Sequence, residues 1–203
     1  MDDSVVIALF RHGLTEENKR KAYLGWNDSP LCPESKRIGT RKRYDHYFSS
    51  DLQRCKTTVK LLFPNNDLTV LQELREMNFG EWEGKTYDDL KEDKLYQKWL
   101  SDPLFSSPPG GESFQTFTKR VDTGWKFISQ HIISGNHNSG AIVTHGGVIR
   151  YLLSKFAPEQ RDFWSWQTSH NQGYELRFDC EGLRRGERCI SLLEVPLMAN
   201  ENG

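Results

Sequence analysis

The sequence predicts an α/β fold, a three-layer αβα sandwich around a mostly parallel central sheet. Two observations carry the prediction. Apolar runs of strand length alternate with longer stretches of helical spacing. Two of these runs, Val5-Val6-Ile7-Ala8-Leu9-Phe10 and Gly140-Ala141-Ile142-Val143-Thr144, are apolar without alternation, the pattern of strands buried on both faces. Each ends at a histidine followed by a glycine.

The elements follow in order. Residues 5–10 form the first strand and residues 46–49 a second, short one. Residues 51–62 are predicted helical, with Asp51 near the N-terminus. A further strand covers 68–71. Residues 86–100 are helical and end at Asp102-Pro103. Residues 112–133 form a long helix with a stripe of Phe114, Phe117, Val121, Trp125 and Ile132. The central strand is 140–144 and its helix 147–156, where Val148, Ile149, Leu152 and Leu153 have helical spacing. Two late runs, 173–179 and 187–195, look like strands joined by the turn-like Glu181-Gly182-Leu183-Arg184-Arg185-Gly186. No internal repeat, linker or low-complexity tract interrupts the series, so residues 1–203 are expected to form one domain.

Composition narrows the function. Lys and Arg number 27 against 28 Asp and Glu, so no global charge favours nucleic acid or an anionic membrane. No apolar stretch is long enough to span a bilayer, and the acidic start Met1-Asp2-Asp3-Ser4 does not look like a signal peptide. Cys32, Cys55, Cys180 and Cys189 contain no C-x-x-C pair and are expected to be free thiols in a reducing cytoplasm. A disulfide between Cys180 and Cys189 across the late turn is the lesser expectation. Of six tryptophans, Trp99 and Trp125 are expected in the core; Trp26 and Trp82 are candidates to wall a pocket. Phe163-Trp164-Ser165-Trp166 is expected to dock a helix, with covering a ligand as the alternative.

The chemistry starts at the two strand ends. Residues just past a strand of such a sheet lie in the crevice where α/β proteins bind ligands. Arg11-His12-Gly13 places a guanidinium and an imidazole there, which suits an anion site containing a nucleophile. Thr144-His145-Gly146-Gly147 repeats the design, and the free N–H groups at the helix start, Gly146 among them, suit an oxyanion. Two histidines in matching contexts, more than a hundred residues apart, are best explained by one shared site.

Six motifs in order resemble the histidine phosphatase superfamily, the phosphoglycerate-mutase-like proteins. They are Arg11-His12-Gly13 with Thr15 and Asn18; Leu24-Gly25-Trp26, Asp28 and Ser29-Pro30-Leu31; Ser49-Ser50-Asp51-Leu52-Gln53-Arg54; Leu74-Arg75-Glu76-Met77-Asn78-Phe79-Gly80-Glu81-Trp82-Glu83-Gly84; Pro108-Pro109-Gly110-Gly111-Glu112-Ser113; and Thr144-His145-Gly146-Gly147. The resemblance implies that Arg11, His12, Arg54 and His145 form a phosphate pocket. His12 is then the nucleophile, provided one ring nitrogen donates to a group that fixes the tautomer. Arg11 and Arg54 clamp phosphoryl oxygens, His145 adds positive charge if protonated, and Asn18 donates an amide hydrogen bond.

Glu73, Glu76, Glu81 and Glu83 crowd one segment, and a charge run is usually a solvated face. The resemblance selects Glu76 as general acid, with partial burial expected to raise its pKa; the other three are expected to be solvated. No metal or other cofactor is required, because the arginines and histidine supply the positive charge.

The chain departs from the family pattern at Leu14, where glutamate is usual, and at Ser35, where glycine is usual. The stretch between Leu31 and Ser49 looks short, and its basic part at 36–43 (Lys36, Arg37, Arg41, Lys42, Arg43) is expected to be a solvated short helix, or else a guide for an anionic substrate. Arg75-Glu76-Met77-Asn78-Phe79-Gly80 stands where the mutases have Asn-Glu-Arg-His-Tyr-Gly. That resembles the phosphatase branch, near broad-specificity phosphatases and α-ribazole phosphatase. The implied activity is hydrolysis of a small phosphate ester. A phosphoglycerate mutase is the alternative, and a non-catalytic phosphate-binding module a third possibility.

Overall fold

The computed structural model describes residues 4–199. In chain order the strands and helices are β1 (Ser4–Arg11), α1 (Glu16–Lys19), β2 (Ile38–Gly39), β3 (His46–Ser50), α2 (Gln53–Leu62), β4 (Leu68–Leu71), α3 (Tyr87–Leu90), α4 (Lys94–Ser101), α5 (Phe114–Ser134), β5 (Ser139–Thr144), α6 (Gly146–Phe156), β6 (Gln172–Asp179), α7 (Cys180–Arg185), β7 (Ser191–Pro196) and β8 (Met198–Ala199). Six strands form the main sheet in the order β4-β3-β5-β1-β6-β7. Four of them run parallel, and β6 is antiparallel to both of its neighbours. The expected αβα class is therefore the observed one.

Strand alternation builds the layers. Val5, Ile7 and Leu9 of β1 point to one face, where they meet Phe117, Val121, Trp125, Ile128 and Ile132 of α5 and Val148, Ile149, Leu152 and Leu153 of α6. Ala8 and Phe10 point to the other face, against Cys55, Val59 and Leu62 of α2 and Phe63 just beyond it. Burial on both faces explains why β1 and β5 lack alternation. A smaller cluster of Trp82, Leu90, Tyr96 and Trp99 packs around α3 and α4.

Several boundaries differ from expectation, each for a local reason. The late turn is a helix, α7: Asp179 caps it by accepting from Gly182 N at 2.8 Å, and Gly186 ends it in the left-handed region at φ 71°. The helix expected at 86–100 is two helices, because Asp93 accepts from Leu95 N and Tyr96 N and starts a new one. Helix α2 begins after Asp51. Its free N–H groups are capped by Asp28, from another loop, while Asp51 pairs with Arg75. The basic stretch at 36–43 forms no α-helix: a 3-10 turn over Pro33–Arg37 leads into β2, which pairs with β8. There Lys42 binds Glu175, and Arg43 donates to backbone carbonyls.

Trp99 and Trp125 are core residues as expected, and Trp82 is buried too, in the small cluster. Cys32, Cys55, Cys180 and Cys189 are all free thiols, so Cys180 and Cys189 form no bridge. No helix among the described residues is long and apolar enough to cross a membrane.

Candidate active site

Parallel register brings the two histidines together. Arg11 of β1 lies opposite Thr144 of β5, so the next residue of each strand, His12 and His145, emerges at the same edge. His12 N donates to Thr144 O at 2.9 Å, and the two imidazole centroids are 5.2 Å apart. Both rings are buried.

The tautomer of His12 is set by its own backbone. Nδ1 lies 2.8 Å from the carbonyl oxygen of Gly13, which can only accept, so Nδ1 carries the proton and Nε2 keeps its lone pair. The loop is tied to α2 through Thr58, whose hydroxyl accepts from Gly13 N and donates to Arg54 O. Burial pushes the His12 pKa well below its ordinary 6.5, and Arg54, Arg11 and His170 push it further. The ring is therefore neutral, the state a nucleophile needs.

Arg54 is charged yet only 1% exposed. Its NH2 donates to Gly25 O at 2.6 Å and its NH1 to Asn27 O at 2.7 Å. Arg11 donates from NH1 to Thr168 O at 2.6 Å. Burial lowers the Arg11 pKa to about 10, opposed by Glu76 and reinforced by Arg150 and Arg54, so it stays cationic near neutrality. The Nε of each arginine is buried without an acceptor among the described residues. Buried, charged and unpaired donors are costly unless an anion completes them.

His145 is buried beside His12. Burial holds its pKa well below 6.5, with Arg54 and His12 adding to the effect, so it is neutral. Its Nε2 lies 3.0 Å from Ser50 Oγ and 3.5 Å from Cys55 Sγ. The positive charge of the pocket thus comes from its arginines.

Glu76 sits at the start of α6. One carboxylate oxygen accepts from Gly147 N at 2.8 Å and the other from Met77 N at 2.9 Å. The helix N-terminus expected to receive a substrate oxyanion thus gives its Gly147 N–H to the candidate acid, while Gly146 packs against the Arg11 guanidinium. The backbone of Glu76 is fixed in turn: its carbonyl accepts from Trp26 Nε1 at 3.0 Å and Arg120 NH2 at 3.1 Å. Glu112, from the Pro-Pro-Gly-Gly-Glu-Ser motif, holds Arg120 and accepts from Asn78 N.

Glu81 is exposed, but Glu83 is not a solvated charge. It accepts four backbone N–H groups, those of Gly25, Trp26, Asn27 and Phe79. Asn18 is placed by Thr15, whose hydroxyl donates to Oδ1, leaving the amide NH2 as the end able to donate.

Beside Glu76 and Gly147 opens a cavity of about 530 Å³ lined largely by Tyr23, Phe79, Trp99, Phe114, Phe163 and Trp164, with Arg150 at its wall. The 163–166 segment divides its roles: Trp166 is in the core, whereas Phe163 and Trp164 face this cavity. His170 completes the centre. Its Nδ1 lies 2.7 Å from His12 O, its ring is 5.3 Å from that of His12, and burial beside Arg11 lowers its pKa to about 4. No local pattern marks His170, Arg120 or Arg150 as site residues. Each arrives from a different element and makes its contact only in the folded chain.

Residues 7–185 match the model of the histidine phosphatase superfamily (branch 1), and the chain belongs to that family. It is 34% identical over 158 residues to the adenosylcobalamin/alpha-ribazole phosphatase of Salmonella typhimurium, covering 72% of this chain and 77% of that one. It is also 29% identical over 170 residues to the phosphoglycerate mutase of Schizosaccharomyces pombe, covering 73% and 77%. The alpha-ribazole phosphatase structure from Shigella flexneri superposes with a TM-score of 0.77 over 98% of both chains at 24% identity, a likeness of fold.

Proposed function

We propose that the protein is a metal-independent phosphomonoester hydrolase acting through a phosphohistidine on a small phosphorylated metabolite. The observation that carries this reading is the neutral His12, its Nδ1 held by Gly13 O, beside two buried arginines with unpaired Nε donors. Nε2 of His12 attacks phosphorus as the ester P–O bond breaks. Arg11, Arg54, Asn18 and the Gly146 end of α6 hold the phosphoryl oxygens. Glu76 protonates the departing oxygen. Water then attacks phosphorus, forming a P–O bond as the bond to His12 Nε2 breaks, with Glu76 taking the water's proton. A dianion between the rings also favours protonation of His145, which supplies its expected charge once substrate is bound.

The aromatic cavity next to Glu76 accommodates the leaving group. We read the substrate as a small molecule rather than a nucleic acid, the compartment as the cytoplasm, and the whole chain as one working domain. At the acid block the residues favour the hydrolase over the mutase alternative. Of the two residues replacing the mutase Arg-His, Met77 is in the core, and Asn78 accepts from Gly80 N.

A panel of phosphomonoesters assayed with EDTA tests the reading, together with 3-phosphoglycerate supplied with and without 2,3-bisphosphoglycerate. Phosphate release from several unrelated esters is expected. Rapid isomerisation with little free phosphate would overturn it in favour of the mutase.

A further inference from the structure

The chain has six histidines. Three of them, His12, His145 and His170, gather at the site above. The other three converge at the opposite end of the sheet. His46 is the first residue of β3, His131 lies in the last turn of α5, and His137 follows in the connection to β5. One nitrogen from each lies within 4.8 Å of the others, and all three residues are half-buried. The ring centroids are 4.3 Å apart for His46 and His131, 5.7 Å for His46 and His137, and 6.0 Å for His131 and His137.

We propose that His46, His131 and His137 form a binding site for a borderline divalent cation of the Zn²⁺ class, separate from the catalytic pocket. Three imidazoles suit Zn²⁺, Cu²⁺ or Ni²⁺ and are poor ligands for Mg²⁺ or Ca²⁺. With metal–nitrogen distances of about 2.0–2.1 Å, closing the cluster on an ion needs ring movements on the order of an ångström. A fourth position is left for water.

The backbone is built to present these rings. Asn136 takes a left-handed turn at φ 54°, and His137 N then donates to Ile132 O. A β-carbon on Gly135 would fall 2.6 Å from the His137 ring, so the imidazole lies in space that glycine leaves. Thr69 Oγ1, 2.9 Å from His46 Nε2, fixes the plane of that ring, as partners beyond the ligands do at metal sites. Three like groups gain little by facing one another, and a cation gives them a shared partner. The site is roughly 13 Å from the pocket, the length of β3 between His46 and Ser50. It would tie α5 to the start of two central strands.

The test uses full-length protein, stripped with a chelator and titrated with ZnCl₂ by calorimetry and with CoCl₂ by visible absorption. One Zn²⁺ per chain is expected, with a rise in thermal midpoint and intense visible bands from Co²⁺ in a low-coordinate nitrogen site. His131→Ala and His137→Asn should each weaken binding by at least ~10-fold and abolish the midpoint rise, while p-nitrophenyl phosphate hydrolysis persists. His12→Ala should bind Zn²⁺ as the unaltered protein does. Absence of binding, a silent Co²⁺ spectrum, or binding lost in His12→Ala but kept in His131→Ala would overturn the proposal. The spectrum of the unaltered protein decides even if a variant fails to fold.

Discussion

A β-carbon on Gly147 would come within 2.2 Å of Glu76 Oε1, so the candidate acid keeps its place only because residue 147 has no side chain. Gly147→Ala should displace the carboxylate without unfolding the chain. General acids contribute roughly 10²–10⁴-fold, so both Gly147→Ala and Glu76→Gln are expected to slow alkyl esters far more than activated aryl phosphates. Equal losses on the two substrate types, measured as kcat/KM, would remove Glu76 from the role. His12→Ala is expected to lose nearly all turnover and to leave no acid-labile phosphate on the quenched enzyme. A circular dichroism spectrum matching that of the unaltered protein would establish that chemistry, not folding, was lost.

At the scale of elements, the pocket depends on a chain of contacts that begins away from it. Glu83 gathers the N–H groups of Gly25, Trp26 and Asn27, and the carbonyls of Gly25 and Asn27 in turn hold the Arg54 guanidinium. Glu83→Ala leaves the part-buried N–H donors of Gly25 and Phe79 unmatched, each such loss costing about 1–3 kcal/mol. A lower thermal midpoint and a higher KM for phosphate esters are both expected. A variant with altered stability but unchanged KM would show that the loop does not position Arg54.

Glu83 also marks where the sequence becomes opaque. Within a run of four glutamates its charge looked solvated, because its partners lie up to 58 residues away. Asp28, which caps α2 from another loop, was hidden for the same reason. Arg11, His12, Arg54 and His145 are legible as candidates because each lies inside a local motif that carries the family resemblance. The α7 helix was not, because a cap of Asp179 and a stop at Gly186 flank a segment short enough to pass for a turn.

For the whole molecule, the neutral buried imidazoles set a pH dependence. Unfolded histidines titrate near 6.5, whereas His12 and His145 resist protonation well below that value and His170 does so down to about 4. As pH falls from about 6.5 toward 4, the unfolded chain takes up protons that the folded chain refuses, so stability declines across that window and levels off above it. Thermal midpoints measured from pH 8 to pH 4 should show this fall, and His170→Asn should make it shallower. A midpoint that does not change between pH 7 and pH 5 would contradict the neutral assignment.

His12, the proposed nucleophile, follows a strand bonded along both edges, β1 between β5 and β6, whereas much of the wall of the aromatic cavity comes from the end of α4 and the segments after it and after α6. Amides of a central strand exchange with solvent only when the whole fold opens, while surface segments open alone and often. Trp164 and Leu100, 55% and 45% exposed, belong to the second group. Over evolutionary time the two parts can therefore drift apart in rate. Replacements along that wall can redraw the range of esters accepted and leave the phosphoryl-transfer centre intact, so descendants of one such chain can diverge in diet while sharing a single engine.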